Sequence, residues 1–304
     1  MYIMDILEME NNILKSCTLC PRNCKVNRLD GKFGFCQAGE YIKIATSMLH
    51  FWEEPCISGS KGSGAIFFSY CNLKCIYCQN YDISTNNYGH NISLGEFSRI
   101  CLNLEQKGAN NINLVTPTPF VPQIIKGIKL ARNHGLSIPI VYNTSSYENI
   151  DTIKSLKDTV NIYLADLKYY DDSIAQKYSN AIDYFKYATD AILEMYSQVD
   201  TPIIKNGIMQ QGLIVRHLIL PNHIDDSKKI IKYLYDTYKD NIYISIMNQY
   251  TPLKYVKNIV DLNRKVTEKE YDEVINYAYD LGIRKAFIQE GDTAKESFIP
   301  NFKD

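Results

Sequence analysis

The sequence predicts an α/β fold, wound either as a two-sided parallel sheet or as a barrel, on three observations. From Gly64 onward, short apolar segments alternate with amphipathic ones. The apolar segments are almost continuously hydrophobic, the pattern of parallel strands buried on both faces. Two of the amphipathic segments open with a full helix-start signature, and repeated strand–helix units build such folds.

The expected strands are 64–69, 112–115, 138–142, 161–165, 213–219, 242–247 and 285–289. Ser93 with Glu96 forms a capping box ahead of Phe97, Ile100, Cys101 and Leu104, and Gly108 stands where a helix-ending glycine belongs. Thr267 with Glu270 repeats the signature before Val274, Ile275 and Ala278, and Gly282 closes that helix. The longest departure from the alternation is 170–212, with a helix expected at 184–199 as part of a lid or side wall. Residues 1–60 are rich in cysteine and turns, with little regular structure expected beyond a short amphipathic helix carrying Ile3, Ile6, Leu7, Ile13 and Leu14. There is no internal repeat and no low-complexity linker.

The chain of 304 residues is long enough for one large domain or two small ones. Hydrophobic residues make up 45% and charged residues 22%, and the net charge of −1 with no basic stripe argues against a nucleic-acid partner. No apolar run reaches the roughly 18 residues of a membrane span. Asp5, Glu8 and Glu10 stand where a signal peptide would be basic, so the expected location is the cytoplasm. The 24 tyrosines are read as filler rather than as a functional stripe.

In a reducing cytoplasm, nine cysteines in clusters point to metal rather than to disulfides. Cys71, Cys75 and Cys78 follow the first expected strand with gaps of three and two residues. Three thiolates in one loop can hold a [4Fe–4S] cube and leave one iron open. The alternatives are zinc and inert buried thiols, but a structural zinc site wants four ligands and no fourth lies nearby in sequence. Cys17, Cys20, Cys24 and Cys36 supply four ligands in a stretch with little apolar content, as a metal staple would. Zinc, a second iron–sulfur cluster relaying electrons, and unliganded thiols all remain open there. Cys101 is expected in the core and Cys56 has no assignment. Glu53 and Glu54, beside Trp52, are read as surface acids in preference to substrate contacts. The glycine-rich run from Ser58 to Gly64 lacks a phosphate-loop pattern and reads as a flexible entry to the first strand.

The motif C-x3-C-x-Φ-C, with Tyr77 as its aromatic, resembles the signature of the radical S-adenosylmethionine (SAM) superfamily. The stretch SGSKGSGAIFFSYCNLKCIYCQN is similar to the branch related to pyruvate formate-lyase activating enzyme. The likeness extends through YNTSSYE (142–148), ADLKYYD (165–171), VRHLILPNH (215–223) and MNQYTP (247–252), and includes CTLCPRNCKVNR. The resemblance implies a partial (β/α)6 barrel of the TIM type over 61–295, a Cys-rich region over 1–60 and a tail over 296–304. It also implies that Cys71, Cys75 and Cys78 carry the cluster, that SAM chelates the open iron, and that reductive cleavage gives a 5′-deoxyadenosyl radical that abstracts hydrogen from substrate. An electron donor of the flavodoxin or ferredoxin type goes with that chemistry.

Residue by residue, the resemblance places Tyr77 among the cofactor contacts. Thr116-Pro117-Thr118-Pro119-Phe120 replaces the family's Gly-Gly-Glu run, leaving carbonyls around Thr116 and Thr118 to meet the methionine ammonium; the plainer reading is a stiff turn. Asn143, Thr144 and Ser145 fall where relatives bind the methionine carboxylate or ribose, or else cap a helix. Asp166 and Lys168 share one strand face and resemble the Asp-x-Lys pair that embraces SAM, or else form a structural ion pair. Of two neighbours on one strand, Arg216 is expected toward SAM and His217 in the core. Met247, Gln249 and Tyr250 end the sixth strand near adenine and substrate, and Gln289 and Glu290 end the seventh. The substrate is a protein, a peptide or a small molecule, with glycyl-radical activation favoured through Asp166 and Lys168. A non-catalytic electron-transfer protein is the competing reading, and a zinc-dependent nucleic-acid module a weaker one.

Overall fold

The computed structural model describes residues 13–289. Ten strands occur among them: β1 (Ile42–His50), β2 (Ser63–Phe68), β3 (His90–Ile92), β4 (Ile112–Val115), β5 (Ile140–Thr144), β6 (Ile162–Asp166), β7 (Ile203–Lys205), β8 (Ile208–Leu218), β9 (Tyr243–Met247) and β10 (Ala286–Ile288). They form one sheet in the order β10-β9-β8-β6-β5-β4-β2-β1-β3, with β7 paired to β8 off that path. From β2 to β10 along this order every pairing is parallel, while β1 runs antiparallel to β2 and β3 antiparallel to β1. The two ends of the sheet do not pair, so it is an open partial barrel. Its six-strand αβ unit is extended by the short β10.

Helices α1 (Pro55–Ser58), α2 (Tyr81–Ser84), α3 (Leu94–Gln106), α4 (Val121–Asn133), α5 (Ile150–Ser155), α6 (Asp172–Ser179), α7 (Tyr184–Val199), α8 (Ile224–Tyr238) and α9 (Glu268–Leu281) connect the strands. The main core lies between the helices and one face of the sheet, where Ile112, Leu114, Ile140, Tyr142, Tyr163, Leu213 and Val215 meet helix residues. A smaller core fills the inner face. There Cys56 and Ile57 of α1 pack on Val141, Ile162, Leu164, Met209 and Ile214. Period-2 alternation thus sends Val141, Leu164 and Ile214 inward and their neighbours outward. Both expected capping boxes are present, at Ser93–Glu96 and Thr267–Glu270, each stabilising its helix by about 1 kcal/mol. Gly127 of α4 lies against the Phe97 ring of α3, where a Cβ would fall 2.3 Å from a ring carbon.

All seven strands read from the sequence are found, shifted by a few residues at their ends, and the helix expected at 184–199 is α7. With Ala188, Ala191, Ile192 and Met195 in the main core, α7 is a side wall rather than a lid. Within 13–60 the chain is more ordered than expected, because β1 gives the sheet an antiparallel edge at residues 42–50. The expected amphipathic helix falls mostly outside the described residues, as do Glu290 and the 296–304 tail. No helix among the described residues is long and apolar enough to cross a membrane.

His217 is a core residue, 2% exposed. Its Nδ1 donates to the Leu167 carbonyl at 2.9 Å, and Nε2 lies 2.9 Å from the Ser227 hydroxyl on α8. Burial disfavours the imidazolium and lowers the pKa to about 4. With the folded-state pKa below the unfolded value, protons prefer the unfolded chain. Stability is therefore complete above about pH 6.5 and falls as the pH drops toward 4, by up to about 3 kcal/mol. Urea unfolding across this window should show that loss, and His217→Gln should flatten it; an unchanged slope in the variant would remove His217 as its source.

Candidate active site

The loop after β2 carries three of the cysteines. Tyr70 (φ 74°) and Lys74 (φ 54°) take left-handed backbone conformations that turn the chain back on itself, so Cys71, Cys75 and Cys78 share one compact loop at the C-terminal end of the strand. Cys71 and Cys75 are buried and Cys78 half-buried. Each sulfur accepts a hydrogen bond: Cys71 from the Leu73 N–H at 3.4 Å, Cys75 from the Ser179 hydroxyl at 2.9 Å, and Cys78 from the Ser84 hydroxyl at 3.5 Å. Donors aimed at sulfur favour the thiolate, the form that binds metal.

Because Ser179 donates to Cys75, the Tyr169 hydroxyl, 2.6 Å from Ser179, is left to donate to Ser179. Tyr77, 2.6 Å from Tyr169, then donates to Tyr169. Three hydroxyls thus point in series at one sulfur. Among the described residues, no three Cys, His, Asp or Glu side chains meet around a single point at ion-binding spacing. A cube-shaped cluster does not ask for that, since its thiolates attach at separate corners. Burial, and then the neighbouring Cys75 and Cys71, push the Cys78 thiol up to about 12. Burial also raises the Cys75 thiol, and Lys168 is the largest influence holding it down.

Lys168 stands just beyond β6, its Nζ 2.5 Å from Asp166 Oδ2. Burial works against its charge, but Asp166, Cys75 and Cys78 outweigh it, and the pKa is raised. Asp166 pairs in register with Arg216 on β8. Arg216 is on the same inward face as Ile214, and its guanidinium grips Glu53 and Glu54, with Nε 2.8 Å from Glu54 Oε1 and Nη2 2.5 Å from Oε2. Asn113 Nδ2 donates to Glu53 at 2.8 Å. Glu53 and Glu54 are therefore not surface acids: Pro55 starts α1, which plugs the inner face and carries both carboxylates in with it. Burial would raise the Glu54 pKa, but Arg216 holds it below the usual value.

The other strand ends divide between inside and outside. Thr116 (φ 59°) ends β4 in a strained conformation, its N–H donating to the Asn143 carbonyl at 2.9 Å. Asn143 follows Val141 on the inward face of β5. Thr118 turns its side chain to the helix side, where its hydroxyl donates to Glu148 Oε1 at 2.6 Å, so only its backbone is left for the ligand contact expected of it. Thr144 (2.6 Å) and Tyr142 (3.2 Å) donate to the same oxygen. Burial raises Glu148 to about 7. The Ser145 carbonyl accepts from Tyr184, the Gln249 carbonyl accepts from Gln79 just after Cys78, and Gln249 Nε2 lies 3.7 Å from Met247 Sδ. Gln289 donates to Gln249 Oε1 at 3.1 Å, and the Tyr250 ring meets Tyr77 edge-on at 5.9 Å.

Residues 65–210 match the family model described as Radical SAM superfamily. An uncharacterized protein of Methanocaldococcus jannaschii is 30% identical over 291 residues, covering 91% of this chain and 79% of that protein. The chain belongs to the radical SAM superfamily. Among solved structures, Streptococcus suis SuiB bound to S-adenosylmethionine aligns with 73% of this chain and 48% of its own at 12% identity and a TM-score of 0.50, a likeness of fold. Methylornithine synthase aligns with 74% of this chain and 72% of its own at 12% identity and a TM-score of 0.49. Membership implies a [4Fe–4S] cluster and SAM as cofactors, and the donor-backed thiols of the 71–78 loop fit the cluster's ligand chemistry.

The Cys-rich region lies directly against this radical SAM loop. Arg22, between Cys20 and Cys24, donates from Nε to the Asn72 carbonyl at 2.9 Å, from Nη2 to the Ser179 carbonyl at 3.1 Å, and from Nη1 to the Asn180 carbonyl. Ser179, Tyr169, Ser84, Glu53, Glu54 and Glu148 were not singled out as site residues from the sequence. One signal was available for the glutamates: a lone arginine facing inward on an apolar strand needs a buried acid.

Breaking a buried ion pair leaves its partners unpaired and costs about 3–5 kcal/mol. Arg216→Ala, which strands two carboxylates, is expected to cost at least that in urea unfolding. Combining Arg216→Met with Glu53→Gln and Glu54→Gln should recover most of it; a single variant near wild-type stability would show that the cluster is not held as described.

Proposed function

We propose that this chain is a radical SAM enzyme that takes a hydrogen atom from its substrate. Cys71, Cys75 and Cys78 would hold the [4Fe–4S] cluster, with SAM bound between that loop and the Asp166–Lys168 pair. The observation that carries this reading is the placement of three donor-backed thiols at the C-terminal end of β2, with the charge of Lys168 felt by Cys75. When bound, the two cofactors supply a 5′-deoxyadenosyl radical.

The chain's own part is positioning and exclusion of water. Asp166 and Lys168 offer opposite charges to a zwitterionic ligand. The strand ends at Thr116, Asn143, Ser145, Met247 and Gln249 surround the same end of the barrel. Arg216, held by Glu53 and Glu54, faces the inside of the barrel in register with Asp166. Glycyl-radical activation is the favoured reaction, supported by the Asp166-x-Lys168 resemblance; a peptide or small-molecule substrate is the alternative. Nine free cysteines suit a reducing cytoplasm and a reductant of the flavodoxin or ferredoxin type.

Anaerobic reconstitution with iron, sulfide, SAM and dithionite is expected to yield 5′-deoxyadenosine, and replacing Cys71, Cys75 and Cys78 by Ala should abolish it. Asp166→Asn and Lys168→Met should lower kcat/KM for SAM on the order of 10- to 100-fold with the cluster retained. A fully loaded protein whose cluster spectrum ignores SAM would instead identify a non-catalytic electron carrier.

A further inference from the structure

The hydrogen bond to Cys75 is backed by two further hydroxyls. Its donor, Ser179 at 2.9 Å, belongs to the last turn of α6. The Tyr169 hydroxyl lies 2.6 Å from that of Ser179, and the Tyr77 hydroxyl 2.6 Å from that of Tyr169. Ser179, Tyr169 and Tyr77 are 0%, 1% and 6% exposed, which leaves water little room to compete. A sulfur bonded to iron carries no proton and can only accept. Ser179 must then give its proton to Cys75, and the tyrosines must donate in turn behind it. In a dry interior such a series is stronger than in water.

The backbone of the same turn is held independently of the Ser179 hydroxyl. The Tyr178 carbonyl accepts from the N–H of Ile76, next to Cys75, at 2.9 Å. The Ser179 carbonyl accepts from Arg22 Nη2 at 3.1 Å, and the Asn180 carbonyl from Arg22 Nη1. Arg22 also lines a small cavity with Cys17, Cys20, Cys24 and Cys36, so the Cys-rich region meets this turn through its carbonyls. Removing the Ser179 side chain therefore leaves the docking of α6 on the cysteine loop in place and takes away a single donor.

Reduction adds negative charge at ligated sulfurs. A donor fixed on one of them stabilises the reduced state more than the oxidised one, because a hydrogen bond strengthens as its acceptor gains charge. Hydrogen bonds to sulfur are among the factors that set the potential of iron–sulfur proteins. We propose, on the reading that Cys71, Cys75 and Cys78 hold the cluster, that Ser179 acts through Cys75 to raise the cluster's reduction potential, with Tyr169 and Tyr77 donating behind it. The test is a redox titration of the anaerobically reconstituted full chain without SAM, followed by electron paramagnetic resonance of the reduced cluster. In Ser179→Ala the ratio of reduced to oxidised cluster at a fixed ambient potential is expected to fall on the order of tenfold, the scale of one hydrogen bond. For a one-electron couple that is a drop of about 59 mV. Tyr169→Phe should lower the ratio by a smaller factor, and Ser179→Thr, which keeps the hydroxyl, should stay near the native value. An unchanged or raised potential in Ser179→Ala, or an equal fall in Ser179→Thr, overturns the proposal. Should Ser179→Ala take up no iron, Tyr169→Phe decides: a lowered potential supports the series and an unmoved one overturns it. A native chain that takes up no cluster ends the ligand assignment as well, whereas a cluster at one common potential in every variant removes the role of Ser179 alone.

Discussion

The hydroxyl of Ser179 donating to the sulfur of Cys75 is the contact around which the site is arranged, because it joins the loop after β2 to the C-terminus of α6. The last turn of α6 serves several partners at once. The Tyr178 carbonyl accepts from the Ile76 N–H at 2.9 Å, the Ser179 carbonyl accepts from Arg22, and Asn180, in the left-handed conformation, ends the helix and offers its carbonyl to Arg22. The final carbonyls of a helix have no partner within it. Here some are satisfied by the cysteine loop and by an arginine of the Cys-rich region, so three segments distant in sequence are held to one another by groups that needed partners anyway.

The inner face of the barrel carries charge at a depth where charge is expensive. Asp166 with Lys168, and Arg216 with Glu53 and Glu54, sit on adjacent strands in register, above an apolar floor made by α1. Buried ion pairs of this kind add little net stability, since desolvation offsets attraction. Retaining five charged side chains where leucine and methionine would pack as well is the pattern expected of a polar site on an apolar scaffold, with binding residues at the C-terminal ends of the strands.

Much of the fold was legible because its strands are apolar on both faces and its helices open with capping boxes that close locally. The exceptions have physical causes. β1 buries only Ile42 and Ile44, so its sequence lacks the apolar run that marks the others, and β3 and β7 are three residues each. The cysteine loop was legible because its ligands lie within eight residues of one another. What supports them was not. Ser179 is 104 positions from Cys75, Tyr169 is 92 from Tyr77, and Glu54 is 162 from Arg216. Spacing along the chain carries no trace of such pairs. Glu148, whose Oε1 accepts from Thr118, Tyr142 and Thr144, was hidden for a related reason: those side chains turn to the helix side, away from the inner face.

The hydroxyl series Tyr77, Tyr169, Ser179 has a direction as well as a location. Since the proton of Ser179 is given to Cys75, each earlier member must donate forward, and each donation polarises the next. Both tyrosines are buried, and burial keeps each phenol protonated, so the direction survives across the ordinary pH range. A thiolate at the end of such a series would donate less electron density to an iron bound there than a bare thiolate, and hydrogen bonds to cluster sulfurs are among the factors that set reduction potential. Lys168 adds its charge at the same cysteine. Cys75 is thus set apart from Cys71, which accepts from the Leu73 N–H, and from Cys78, which accepts from Ser84 and the Asn80 backbone, so the loop would present an electronically uneven set of corners to whatever it holds.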